Sequence, residues 1–161
     1  MTETSPLGTI FSLKKGMEDY SEEQLTEMQL LQGRGVFGIE MCIFDNSGRA
    51  LPWDGEASGA LKVRGPWVAK GYYGLTDVPG DEGCPVDENG WFDTGDVASI
   101  SADGFLKITD RTKDVIKSGG EWISSIEIEN AAVNHEDISE AAVIGRYHPK
   151  SVSYTHLTLP T

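Results

Sequence analysis

From Gly35 to about Ile108, turn residues cut the chain into pieces too short for most helices. "GIEMCIFD" alternates apolar and polar positions, "NSGR" turns, and "GALKVRG" is a second strand. "GPWVAKGYYG" follows, then the acidic Gly/Pro loop "DVPGDEGCPVDENG", then "GWFDTGDVASI", "SADG" and "FLKITDR". Alternation with a period of two lines one face of a strand, and Gly and Asn-Gly punctuation closes short turns. The spacing predicts an antiparallel sheet or a small barrel. The chain's 19 glycines fit that reading, because tight turns and close backbone approaches need them.

The flanks read differently. Residues 1–16 form a loop and a short extended piece, "GTIFSL". In "SEEQLTEMQLLQG", Ser21 is an N-cap with Gln24 three residues on, the spacing of a capping box. Leu25, Met28 and Leu31 share one face of the predicted helix, and Gly33 is its expected stop. Beyond Arg111, "KDVIKSGGEWIS" reads as strand, glycine turn and strand. "SSIEIENAAVNH" reads as a helix with Ile126 and Ala132 among its apolar positions, and "ISEAAVIGR" as a buried strand. The expected class is mixed α/β: a β-rich unit over 1–110, then the start of an α+β unit over 111–150. The tail 151–161, "SVSYTHLTLPT", shows no pattern that continues this unit. Either it is a disordered tail, or the frame or source DNA changes at about Ser151; its likeness to translated adapter sequence favours the second.

Lys and Arg number 13 and Asp and Glu 26, a net charge of −13. That balance argues against nucleic acid or an anionic membrane surface as partner, since both call for a basic footprint. It leaves room for one anion held by local cations and glycine amides. Cys42 and Cys84 stand far apart without metal-ligand company; Cys42 is expected to be a small core residue, and a reduced, cytoplasmic setting follows. No apolar run approaches the roughly 20 residues of a membrane span, and no secretory leader is visible.

Three clusters could carry chemistry. In "FDTGD", Asp96 stands at a glycine turn between strands, where its carboxylate could accept bonds from vicinal hydroxyls such as those of a ribose. Taken alone, a turn aspartate bonding its own backbone is the simpler account. In "DRTKDVIKSGG", Arg111, Lys113 and Lys117 bring cations near a glycine turn, which suits phosphate; a solvated hairpin explains the same residues equally well. In "TET", a Thr hydroxyl can donate to phosphate and a Glu can hold Mg²⁺, a hard cation that prefers oxygen; a frayed terminus would look the same.

Together the clusters make up a nucleotide site. "MTETSP", "GYYG", "GWFDTGD", "GFLKITDRTKDVIKSGGEWISSIEIE" and "EAAVIG" resemble, in order, the later motifs of the AMP-forming acyl-CoA synthetases, members of the adenylate-forming superfamily. The resemblance covers nearly all of residues 1–150, and "SGGEW" and "RGPWVAKGYYG" look most like bacterial fatty-acyl-CoA ligases. It implies that residues 1–110 end a large AMP-binding domain and that 111–150 hold the hinge and the start of a small C-terminal domain. It implies ATP, CoA and a fatty acid as substrates and Mg²⁺ as cofactor. Thr2 then contacts phosphate, Glu3 binds Mg²⁺, and Asp96 and Arg111 hold the ribose hydroxyls. Lys113 is the hinge position. Lys117 is catalytic, in the strand that reaches the active site in the second conformation. Ser118, Gly119 and Gly120 help line the CoA tunnel. Trp122 lies beside that tunnel or is a core aromatic.

The resemblance also implies that Met1 is an internal methionine. The phosphate loop, most of the acyl pocket and the adenylation lysine would then lie outside these residues, and the 161 residues alone should be inactive with apolar edges exposed. A homodimer is among the expectations for the parent protein. Other readings are a ligase for an aryl or short-chain acid, a luciferase-like oxidase and a non-catalytic nucleotide- or CoA-binding module.

Overall fold

The computed structural model describes residues 1–76, 78–118, 121–148 and 151–158. After a 3-10 turn at Thr2–Thr4 come β1 (Thr9–Ile10), α1 (Glu22–Gln29), β2 (Arg34–Gly35), β3 (Glu40–Phe44), β4 (Gly59–Arg64), β5 (Phe92–Ile100) and β6 (Leu106–Arg111). Then follow β7 (Ile116–Ser118), β8 (Glu121–Ile123), α2 (Ser125–Val133), β9 (Ala142–His148) and β10 (Ser151–Thr158). The class is mixed α/β, as expected. The chain forms two compact units, one of Met1–Thr94 with Ala98–Ile108 and a second of Gly95–Val97 with Thr109–Thr161.

The first unit is built on the run of short strands. β3, β4, β5 and β6 lie in that order in one sheet. β3 and β4 are antiparallel, with Met41 opposite Val63 and Ile43 opposite Leu61. Alternation along β4 buries Leu61 and Val63 while Lys62 and Arg64 stay half-exposed. The buried side joins Ile39, Met41, Ile43, Leu61, Val63, Val86, Phe92, Ala98, Ile100 and Leu106 in one core. Burial of this apolar surface is the main stabilising term of such a sheet. The other side is polar and aromatic. Arg64 lies 4.3 Å from the Trp91 ring centre and Lys62 5.4 Å from that of Phe44. Arg64 also pairs with Glu40, and Lys62 with Asp87, each at 2.7 Å.

Cys42 differs from its expectation. It alternates with the buried Met41 and Ile43 and so falls on the polar side, half-buried. Burial pushes its thiol above the usual value, against the opposing pull of a backbone hydrogen bond with Ile43 and the Arg64 charge. "GTIFSL" yields only the two paired residues of β1, which meet β2 antiparallel.

α1 starts as its sequence dictates. The Ser21 hydroxyl accepts from Gln24 N at 3.3 Å, and the Gln24 side chain accepts from Ser21 N at 2.9 Å. Leu25, Met28 and Leu31 are the half-buried positions of this stretch. No helix among the described residues is long and apolar enough to cross a membrane.

In the second unit, β7 and β8 form the antiparallel hairpin that the glycine turn predicts, with Lys117 opposite Trp122. α2 is capped by the Ser124 hydroxyl, which accepts from Glu127 N at 3.2 Å. Its Ile126 is 46% exposed. β9 is not buried throughout: Val143 is 6% exposed and Ile144 58%. Along Ser151–Thr158, where the sequence shows no strand pattern, β10 pairs antiparallel with β9 and places Leu157 opposite Val143.

Candidate active site

The expected site residues fall into two groups, one in each unit. In the first, Thr2 and Glu3 lie in the N-terminal 3-10 turn, which the buried Thr4 anchors through its hydroxyl bond to the Met1 carbonyl at 2.9 Å. Thr2 is exposed and Glu3 half-buried. The segment between β4 and β5 grips Glu3 twice. Ala69 N donates to the Glu3 carbonyl at 2.8 Å, and the Tyr72 hydroxyl donates to Glu3 Oε1 at 2.9 Å. Burial, then the bond to Glu3 and its charge, push the Tyr72 phenol above its usual value. The Tyr72 ring meets Phe92 edge-on, centroids 6.2 Å apart, and Phe92 is only 1% exposed.

In the second unit the structure brings Asp96 and Arg111 together. Gly95 has φ +71, a left-handed conformation inside β5 that a side chain would strain. Its carbonyl accepts from Thr112 N at 2.9 Å, so the chain before Asp96 is tied to the chain after Arg111. Arg111 Nη1 then lies 3.0 Å from Asp96 Oδ1. The Asp96 side chain is 13% exposed and that of Arg111 61%. A sheltered carboxylate beside a reachable guanidinium offers acceptors for a pair of hydroxyls and charge for a nearby anion.

Lys113 stands exposed in the turn between β6 and β7, closed by Asp114 N and Val115 N donating to the Arg111 carbonyl at 3.0 and 2.9 Å. Lys117 and Ser118 lie on β7; Trp122, half-buried, is opposite Lys117 on β8. Gly119 and Gly120 lie outside the described residues.

Sequence reasoning missed three side chains here. Tyr72 sits in the quoted "GYYG" but 69 positions from Glu3, so no local spacing could pair them. Asp110, 3% exposed, accepts from Ser125 N at 2.7 Å, Ser125 Oγ at 2.8 Å and Arg111 N at 2.7 Å. It joins the N-terminus of α2 to the strand that carries Arg111. The Thr112 hydroxyl is buried without a hydrogen-bond partner among the described residues.

No family model matches the chain. Among curated proteins, it is 47% identical over 150 residues to the 3-methylmercaptopropionyl-CoA ligase of Ruegeria pomeroyi, covering 93% of this chain and 27% of that protein. It is 45% identical over 150 residues to the medium-chain-fatty-acid–CoA ligase of Ectopseudomonas oleovorans, covering 93% and 26%. Among solved structures, the o-succinylbenzoate CoA synthetase of Bacillus subtilis with its acyl-adenylate intermediate superposes with a TM-score of 0.70 at 30% identity, covering 99% of this chain and 30% of that one. The relatives of this chain are acyl-CoA ligases and its structural neighbours are adenylate-forming enzymes; the chain spans about a quarter of the length of the curated relatives it matches.

Proposed function

We propose that this chain is part of an AMP-forming acyl-CoA ligase acting on a fatty acid with ATP and CoA. The observation that carries the reading is the Asp96–Arg111 pair at 3.0 Å, in a chain 47% identical over 150 residues to an acyl-CoA ligase. Asp96 accepts hydrogen bonds from the two ribose hydroxyls of the nucleotide, and Arg111 orients that carboxylate and adds positive charge. Thr2 donates to a phosphate oxygen. In the first step a carboxylate oxygen of the acid attacks the α-phosphorus of ATP, and the bond to pyrophosphate breaks. In the second the CoA sulfur attacks the acyl carbon, and AMP leaves. Holding the reactants in place and neutralising phosphate charge supply the rate of such chemistry.

Glu3 would hold Mg²⁺. Its hard carboxylate oxygen fits, because Mg²⁺ is commonly bound by one or two carboxylates with phosphate oxygens and water. Among the described residues no cluster of three His, Cys, Asp or Glu could form an all-protein cage, so the phosphates would complete the set. The cation would neutralise charge on the phosphate chain. Lys113 is the hinge on which the small domain turns between steps. Lys117 with Ser118, Gly119, Gly120 and Trp122 then lines the CoA side. Two free cysteines are in keeping with a cytoplasmic location.

A short-chain acid is the second reading. It is favoured by the two relatives at 47% and 49% identity, both named 3-methylmercaptopropionyl-CoA ligases. Binding of AMP to the ligase that carries this segment tests the nucleotide reading, since a ligand selective for the folded state raises the melting midpoint. The unsubstituted protein is expected to shift upward with saturating AMP, and Asp96→Ala to lose most of that shift. Equal shifts in both would remove Asp96 from the site.

A further inference from the structure

We infer that Tyr72 is a positioning residue for Glu3, holding the carboxylate that faces the metal–phosphate end of the nucleotide. The inference rests on the reading of Thr2 and Glu3 given above. Glu3 sits in a short 3-10 turn, and a side chain there has rotamer freedom to lose before it can serve a ligand. The segment after β4 holds Glu3 at two points, its backbone and its side chain, and the second removes that freedom. Ala69 N fixes the Glu3 carbonyl at 2.8 Å, and Tyr72 Oη fixes Glu3 Oε1 at 2.9 Å. Tyr72 is itself steadied, because its ring lies edge-on against Phe92, a core side chain of β5. A chain of contacts therefore runs from the sheet core through Phe92 and Tyr72 to one carboxylate oxygen. A phenol donating to a carboxylate is a charge-assisted bond, stronger and more directional than a neutral pair. Its geometric consequence is that one oxygen of Glu3 is occupied and the orientation of the whole group is set.

The test separates metal-dependent from metal-independent binding in the ligase that carries this segment. Calorimetry would measure AMP without metal and MgATP with magnesium, in the unsubstituted protein, in Tyr72→Phe, in Glu3→Gln and in the double variant. Tyr72→Phe keeps the ring against Phe92 and removes one oxygen. It is expected to weaken MgATP binding about tenfold, with AMP affinity unchanged. In the Glu3→Gln background the same substitution should add little, as coupled groups do in a double-mutant cycle. Unchanged MgATP affinity in Tyr72→Phe would overturn the role. So would an equal loss for AMP and MgATP, which would mark Tyr72 as a general structural contact. Failure of the unsubstituted protein to bind AMP would overturn the nucleotide reading itself and the role of Tyr72 with it.

Discussion

Asp96 owes its place to its neighbours more than to its own turn. Gly95 supplies the positive φ, Thr112 N ties back to the Gly95 carbonyl, and Arg111 closes the pair at 3.0 Å. The same tie leaves the Thr112 hydroxyl buried and unpartnered among the described residues. A buried hydroxyl without a partner costs stability, and an isosteric methyl removes that cost. Thr112→Val is therefore expected to stabilise the fold by about 1 kcal/mol, read as a higher urea midpoint. A loss of similar size would mean that the hydroxyl has a partner. Asp96 and Arg111 were legible as candidates because aspartate, glycine and arginine stood in short motifs. Their pairing was not, since it depends on the backbone bond between Gly95 and Thr112. Cys42 was misread as core for a related reason: an apolar run conceals which side of a strand each member faces, and the alternation in β3 sends Cys42 to the polar side.

Elements began where local chemistry said they would and ended where tertiary contacts decided. The capping box at Ser21 and Gln24 formed as read. Gly33, read as the stop of α1, has another task. The helix closes at Leu30, while Gly33 has φ +81 at a point where an added Cβ would lie 2.4 Å from the Ile10 backbone. It is the crossing point with β1, which no helix pattern reveals. α2 shows a stronger tertiary hold. Asp110 accepts from the backbone and hydroxyl of Ser125, and Ser124 donates to the Thr109 carbonyl at 2.9 Å. Asp110→Ala would orphan the two Ser125 donors and Arg111 N and is expected to cost about 3 kcal/mol. Hydrogen exchange should show the first turn of α2 losing protection before the sheet does. Uniform loss of protection across the second unit would show that the carboxylate serves the whole unit and not the helix cap.

At the scale of the molecule, the legible part was the β-rich character of 35–108 and the ordered motifs. The run of strands became the sheet β3–β4–β5–β6, with one apolar and one charged, aromatic side. The division of β5 was not legible: Gly95–Val97 cluster with Thr109 onward while the rest of the strand clusters with the first unit. One strand thus supplies a core for the first unit and a site carboxylate for the second. Large apolar side chains remain at the surface, Phe37 at 98% exposure and Leu30 at 75%. The chain spans about a quarter of the length of its curated relatives, so the activity belongs to the ligase of which we propose it is part. The direct measurement is the fate of ATP in that ligase, with and without a fatty acid, in the unsubstituted protein and in Asp96→Ala. The account predicts AMP and pyrophosphate only when the acid is present, acyl-CoA when CoA is added, and a rate at least about tenfold lower in Asp96→Ala. Release of ADP, AMP formation independent of any acid, or an unaffected Asp96→Ala would contradict it.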